Sequence, residues 1–282
     1  MAESAFNIHE GIKNRMDADE FKKQVRSILK QAEGDRKVLK RRLEERDSIG
    51  LSPLEKAAYH GQAALAKILL EFGADRRSRH NETGGIAVHK AAEFDKVEVL
   101  KVLLENDEDA IMAKDSGGIS PLLHAMLKGS RNVFTYILET YSPACFTYSS
   151  DSEVHGHKLH PLYYAAAVGC VEGTRGHVMQ ASQNRWRNGE IMRQLLQHGC
   201  TREFNGEHLL IYASRTGNID TVKNLAQHSE PSKSDLDKAR VTAEKKLSET
   251  YKKEFKEKFE EVLNYLDEFE KSQNEETSQV DS

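Results

Sequence analysis

The chain has 282 residues, 38% of them hydrophobic and 30% charged, and a formal net charge of −4. That length holds one or two domains with a real core, and the polarity is that of exposed helices rather than of a disordered chain. A near-balanced charge gives no overall pull towards nucleic acid, no stretch approaches the ~20 apolar residues of a bilayer span, and three cysteines are too few for a disulfide scaffold.

In chain order, residues 1–16 carry charges without an apolar signal core and are expected to be a flexible N-terminus. With the cysteine count, this predicts a cytoplasmic protein, with the nucleus as a second compartment. Residues 17–46 are expected to form a helical cap. Phe21, Val25, Ile28 and Leu29 recur at helical spacing, and Val38, Leu39 and Leu43 do so after Glu33-Gly34-Asp35. Arg36, Lys37, Lys40, Arg41, Arg42 and Arg46 make the outer face of this cap basic. Such a run reads first as a solvated face, and second as an import signal or a patch for an acidic ligand.

From Asp47 to about residue 230 one pattern recurs. Ser52-Pro53-Leu54-Glu55-Lys56-Ala57-Ala58 is matched by Ile86-Ala87-Val88-His89-Lys90-Ala91-Ala92 and by Ser120-Pro121-Leu122-Leu123-His124-Ala125-Met126. Leu54, Val88 and Leu122 stand 34 residues apart. Seven positions later come Gly61, Asp95 and Gly129, and eight beyond those the pairs Leu69-Leu70, Leu103-Leu104 and Ile137-Leu138. Looser copies begin at His160-Pro161-Leu162 and His208-Leu209-Leu210. Ser-Pro starts a first helix, glycine ends it in the left-handed region, and the apolar pair marks the buried stripe of a second helix. Asp47, Asn81 and Asp115, each with a glycine three residues on, predict a hairpin finger before each helix pair.

These motifs resemble the ankyrin repeat, whose signature reads T-P-L-H-x-A within about 33 residues. The resemblance implies an all-α solenoid of about five copies over residues 47–230, capped by helices. Of the family's histidine positions only His89 matches; Glu55, Leu123, Tyr163 and Ile211 stand at the others, and Asp95 replaces a turn glycine. The resemblance also implies a concave face built from the fingers and the ends of the first helices. Its partner-binding candidates are Ile49, Leu51, Tyr59 and His60 in the first copy and Glu93 and Phe94 in the second. Ile119, Leu127 and Lys128 follow in the third, and Leu159 in the fourth. Several are apolar at matching register, which favours an interaction strip, although the same side chains could instead pack between fingers.

In the fourth copy 18 residues separate the two helices beyond the usual spacing, so residues 170–188 form an insert. It holds Trp186, the only tryptophan, between Arg185 and Arg187. That trio can stack on a base or clasp an acidic peptide, and Trp186 can equally plug a packing gap. His155-Gly156-His157-Lys158-Leu159-His160 is the nearest thing to a metal site. The repeat register turns its histidines to different tasks, and no HExxH or CxxC supports it. No nucleophile elbow, phosphate loop or dinucleotide fingerprint is present. No enzyme activity, metal or cofactor is therefore expected.

After Pro231 the composition becomes charged and helical. Ser234 with Asp237 reads as a capping box, and Leu236, Ala239, Ala243, Leu247, Tyr251, Phe255, Phe259, Leu263, Leu266 and Phe269 follow at steps of three or four. This predicts an amphipathic helix over 231–271, about 55 Å long if continuous, with a disordered tail at 272–282. Its drifting stripe favours packing on the solenoid or a bent pair over a long coiled coil, with self-association left open. The functional expectation is a non-enzymatic adaptor or scaffold that binds another protein on its concave apolar surface. The alternative is a regulatory binder of an acidic ligand or nucleic acid through the basic cap and the Arg185–Arg187 loop.

Overall fold

The computed structural model describes residues 6–32, 34–141, 153–154, 157–158, 188–198, 203–204, 206–251 and 253–280. They fall into two compact units, one of residues 1–137 with 151–156, the other of 138–150 with 157–282.

In the first unit the repeats take the expected form. Helix α4 (Pro53–His60) starts on a capping box: the Ser52 amide donates to Glu55 Oε2 at 2.7 Å, and the Glu55 amide to Ser52 Oγ at 3.3 Å. It ends at Gly61, whose φ of +73° a side chain would resist. Helix α5 (Ala63–Glu71) returns with Leu65, Ile68 and Leu69 buried. The second copy is α6 (Ala87–Glu93) with α7 (Val97–Leu104), followed by a 3₁₀ turn at Glu108–Met112. The third is α8 (Pro121–Lys128) with α9 (Arg131–Thr140). The first helices stand side by side, α4 against α6 and α6 against α8, while α5 packs on α7. Neighbours thereby bury what one pair cannot.

Two elements before the array differ from expectation. Residues 8–13, read as flexible, form helix α1 (Ile8–Lys13), capped by Asn7, with Ile8 and Ile12 buried. Helix α1 packs on α4, and α2 (Ala18–Gln31) packs on α5. These two helices are therefore the shielding pair, and α3 (Arg36–Glu44) lies between them and the first finger. The sequence understated α1 because six residues hold too few apolar positions for a period to show.

The fingers are held by side chains on backbone amides. Asp47 Oδ1 accepts from the amides of Ile49 and Leu51, and Asp115 Oδ1 from those of Gly117 and Ile119. In the second finger His80, not Asn81, opens the turn: its amide donates to the Gly85 carbonyl, and its Nδ1 accepts from Glu82 and Thr83. Arginines clasp consecutive fingers. Arg46 donates to Gly50 O, Glu55 and Arg79 O; Arg79 donates to Gly84 O and Lys114 O. Arg46 thus leaves the basic outer face to which the sequence assigned it.

The second unit holds α10 (Asn188–Gln197), whose Leu195 and Leu196 are the buried apolar pair of the fourth copy. Strand β1 (Glu153–Val154) belongs to the first unit and strand β2 (His157–Lys158) to the second. Strands β3 (Glu203–Phe204) and β4 (Glu207–His208) pair antiparallel as the fifth finger. Helices α11 (Leu209–Thr216) and α12 (Ile219–His228) follow, with α12 against α10. Of the forms open to the C-terminal stretch, one continuous helix or a bent pair, it takes the pair, a hairpin of α13 (Lys233–Glu249) and α14 (Lys253–Val280). Its capping box is Ser232 with Asp235, not Ser234 with Asp237, and α14 continues through residues read as a disordered tail. Leu236, Ala239 and Ala243 are buried on α13, which packs on α11; Phe259, Val262 and Leu266 are buried on α14, which packs on α12 and α13. Arg240 ties the hairpin to Asp267 at 2.9 Å and Glu270 at 2.6 Å. Tyr251, read as part of the stripe, is 97% exposed where the chain reverses.

Candidate functional site

The first helices of the repeats run in register, so their C-terminal ends form a row across the first unit. Tyr59 and His60 close α4, Glu93 and Phe94 close α6, and Leu127 and Lys128 close α8. The rings of Tyr59 and Phe94 touch, with centroids 4.4 Å apart and planes at 60°. His60 stands edge-on to Tyr59 at 4.9 Å. Tyr59 is 37% exposed, and Phe94, His60 and Leu127 are half-buried. Glu93 bridges to Lys128 at 3.1 Å and to Lys90 at 3.0 Å, which carries the row into the third repeat. Burial alone would raise the Glu93 pKa, but the bonds from Lys90 and Lys128 outweigh it and hold the carboxyl below its usual range.

Around His60 the field is positive. Burial first, then the charges of Lys56 and Arg15, lower its pKa, so the ring is neutral near pH 7. Lys56 is taken up by Asp47 at 2.9 Å. Burial would raise the Asp47 pKa, yet the Lys56 bond and the Leu51 and Ile49 amides lower it on balance. Lys96 lies across the end of α4, its Cδ only 2.8 Å from where a Cβ on Gly61 would sit. Arg15 and Lys96 had no motif to announce them: one sits in a segment read as flexible, the other is a single lysine before a helix.

Other expected site residues fall elsewhere. Leu51 is 4% exposed and belongs to the core, a correction to its place in the apolar strip. It follows the finger directly, and its amide is fixed by Asp47, so its side chain turns under the repeat. Ile49 is 64% exposed but stands on the finger, at the other end of α4 from Tyr59, about 12 Å away along eight helical residues. Ile119 is half-buried, and its carbonyl faces His89 Nε2 at 3.2 Å. Leu159, Trp186 with Arg185 and Arg187, and the side chains of His155, His157 and His160 lie outside the described residues. Among the described residues no three His, Cys, Asp or Glu side chains gather as a metal ion requires. Nor is any helix there long and apolar enough to cross a membrane.

The titratable pairs of the first unit are structural. His89, buried, accepts the Ile86 amide on Nδ1 at 3.1 Å, and its Nε2 faces the Ala113 and Ile119 carbonyls. Its ring meets that of His124 edge-on, and His124 Nε2 lies 2.9 Å from Asp115.

A family model for ankyrin repeats in three copies matches residues 24–115 and 54–151. A mouse (Mus musculus) protein described as fem-1 homolog A-like is 34% identical over 97 residues, which is 34% of this chain and 14% of that protein. The crystal structure of the ankyrin repeat domain of Bcl-3 superposes with a TM-score of 0.57 at 16% identity, covering 80% of this chain and 87% of that one. That of the human ASB11 ankyrin repeat domain gives 0.52 at 18% identity, covering 81% and 86%. Residues 24–151 thus match ankyrin repeats, and the fold of the described residues is that of an ankyrin-repeat solenoid. Ankyrin repeats are protein–protein interaction modules, and binding of another protein is the activity this class defines.

Proposed function

We propose that the chain is a non-enzymatic adaptor or scaffold that holds a partner protein on the row centred on Tyr59 and Phe94. The observation that carries this reading is the ring pair itself. Two aromatic side chains from neighbouring repeats meet at 4.4 Å on a surface open to solvent, where they contribute little to the core but offer a ready anchor. A non-enzymatic reading is supported by the tasks of the described acid–base groups, since Asp47 and Asp115 hold finger amides together with Lys56 and His124, and His89 holds the Ile86 amide at the start of α6. A cytoplasmic or nuclear location fits the low cysteine count.

Replacing Tyr59 and Phe94 together by Ala is expected to weaken a partner recovered by pull-down at least tenfold, measured as Kd. The melting temperature should fall by roughly 5–10 °C, because removing a half-buried ring pair forfeits its mutual contact, about 1 kcal/mol, and about 1–2 kcal/mol of apolar burial. A collapse of the melting temperature with binding lost only in proportion would make the rings core and sink the reading.

The second reading, an acidic ligand or nucleic acid held on the cap, rests on Arg36, Lys37, Lys40 and Arg41, all exposed on α3. Arg36 and Lys37 occupy the first turn, where a helix disfavours cations, with Asp35 at the N-cap the one acid beside them. Arg46 no longer contributes, and Arg42 is paired with Glu45 at 3.0 Å. In the same assay, Lys37→Glu with Lys40→Glu should abolish binding if this reading holds and leave it intact if the ring pair is the site.

A further inference from the structure

We propose that the segment held on the Tyr59–Phe94 row is acidic: an apolar or aromatic side chain seats against the two rings, and flanking carboxylates meet Arg15, Lys96 and Lys128. This rests on the reading of the row as the partner site and adds the chemistry of the partner.

Arg15, Lys56 and Lys96 act on His60, Lys90 and Lys128 act on Glu93, and the carboxylates at these helix ends are Asp47, Glu93 and Asp95. Those carboxylates are all committed. Asp47 holds Lys56 and two finger amides. Asp95 accepts from Asn132 Nδ2 at 2.7 Å and from the Val133 amide at 2.9 Å, which caps α9. Glu93 alone serves both Lys90 and Lys128. Positive charge is therefore left over beside an apolar anchor point.

A helix C-terminus attracts cations by its dipole, and that accounts for Lys90 and Lys128 in the last turns of α6 and α8. The same field draws Arg15, two residues past the end of α1, and Lys96, which opposes the dipole of its own helix α7 but reaches across the C-terminal end of α4. Lys128 keeps 41% of its side chain exposed even while paired. Exposed cations around an aromatic centre steer and select a partner of opposite charge. The neutral His60 ring between them adds a polar contact without adding charge.

The test uses the full chain and a displayed library of random twelve-residue peptides, counter-selected on the Tyr59→Ala, Phe94→Ala double variant, with affinities measured by fluorescence anisotropy. Selected peptides are expected to carry net negative charge around an aromatic or aliphatic residue. They should lose at least tenfold in affinity on Arg15→Glu with Lys96→Glu, and a smaller factor on Arg15→Gln with Lys96→Gln, which guards against a folding defect in the reversal variant. Row-dependent peptides that are neutral or basic, or that bind both charge variants unchanged, overturn the acidic assignment while the site stands. If no peptide depends on Tyr59 and Phe94, the site itself falls and the assignment with it.

Discussion

At the scale of single residues, departures from the family pattern are compensated by bonds that reach across repeats. Asp95 sits at φ +57° where a glycine would be relaxed, a strain of roughly 1 kcal/mol or more. Its carboxylate caps α9 of the next repeat, a gain of comparable size. Glu55, standing where the family has histidine, accepts the Ser52 amide and pairs with Arg46 at 2.8 Å. His89, the one matching histidine, is held neutral: burial and the neighbouring His124 lower its pKa from 6.5 to about 4. The unfolded chain takes up this proton below pH 6.5, whereas the folded chain resists until about pH 4. Protonation in that window therefore favours unfolding, and stability falls by up to about 3 kcal/mol as pH drops through it. Glutamine can accept the Ile86 amide and donate to the facing carbonyls without titrating. In His89→Gln the decline in denaturation free energy between pH 6.5 and 4 should flatten, and an unchanged slope would assign it to other groups.

At the scale of elements, the C-terminal hairpin acts as a cap. Its apolar positions were legible in the sequence, but the reversal was not. A stripe at three- and four-residue steps continues unbroken through Tyr251, and the reversal shows only in contacts across the hairpin, the apolar packing of α13 on α14 and the pairing of Arg240 with Asp267 and Glu270 among them. Past the turn the buried set shifts to Phe259, Val262 and Leu266. The apolar residues that self-association would need are thus largely spent on α11 and α12, with Val241 and Tyr251 left exposed on the hairpin among the described residues. A chain ending at Glu230 should lose several kcal/mol of stability, since Leu236 alone contributes about 2 kcal/mol by burial and its neighbours on α11 would be uncovered. Unfolding in urea with light scattering would check this. Unchanged stability accompanied by loss of a dimer would make the hairpin an oligomerisation arm instead. Helix α1 makes the converse point: too short to show a period, it becomes a helix because Ile8 and Ile12 complete the shield on α4.

For the whole molecule, stability should follow nearest neighbours rather than one common core. Within the first unit α6 has a first helix on either side, α4 and α8, whereas α1 has only α4. Amide exchange should be slowest in α6 and faster in α1, and uniform protection across the unit would mean a single cooperative block instead. The repeat class was legible from sequence alone because stacking imposes the same offsets on every copy. Ser52-Pro53, Gly61 and Leu69 recur in kind at Ser120-Pro121, Gly129 and Ile137. The candidate site was half legible. Register pointed to Tyr59, His60, Glu93, Phe94 and Lys128, but it could not tell Leu51, turned under the repeat, from Ile49, turned out on the finger. Nor could it supply Arg15 and Lys96, which reach the row from outside its helices. Periodicity is written along the chain, so the sequence by itself determined the helix pairs of the first three copies, their fingers and their order. Which side chains meet between repeats depends on distances across the stack, so only the tertiary structure decided the shielding role of α1, the hairpin at the C-terminus and the charged setting of the aromatic pair.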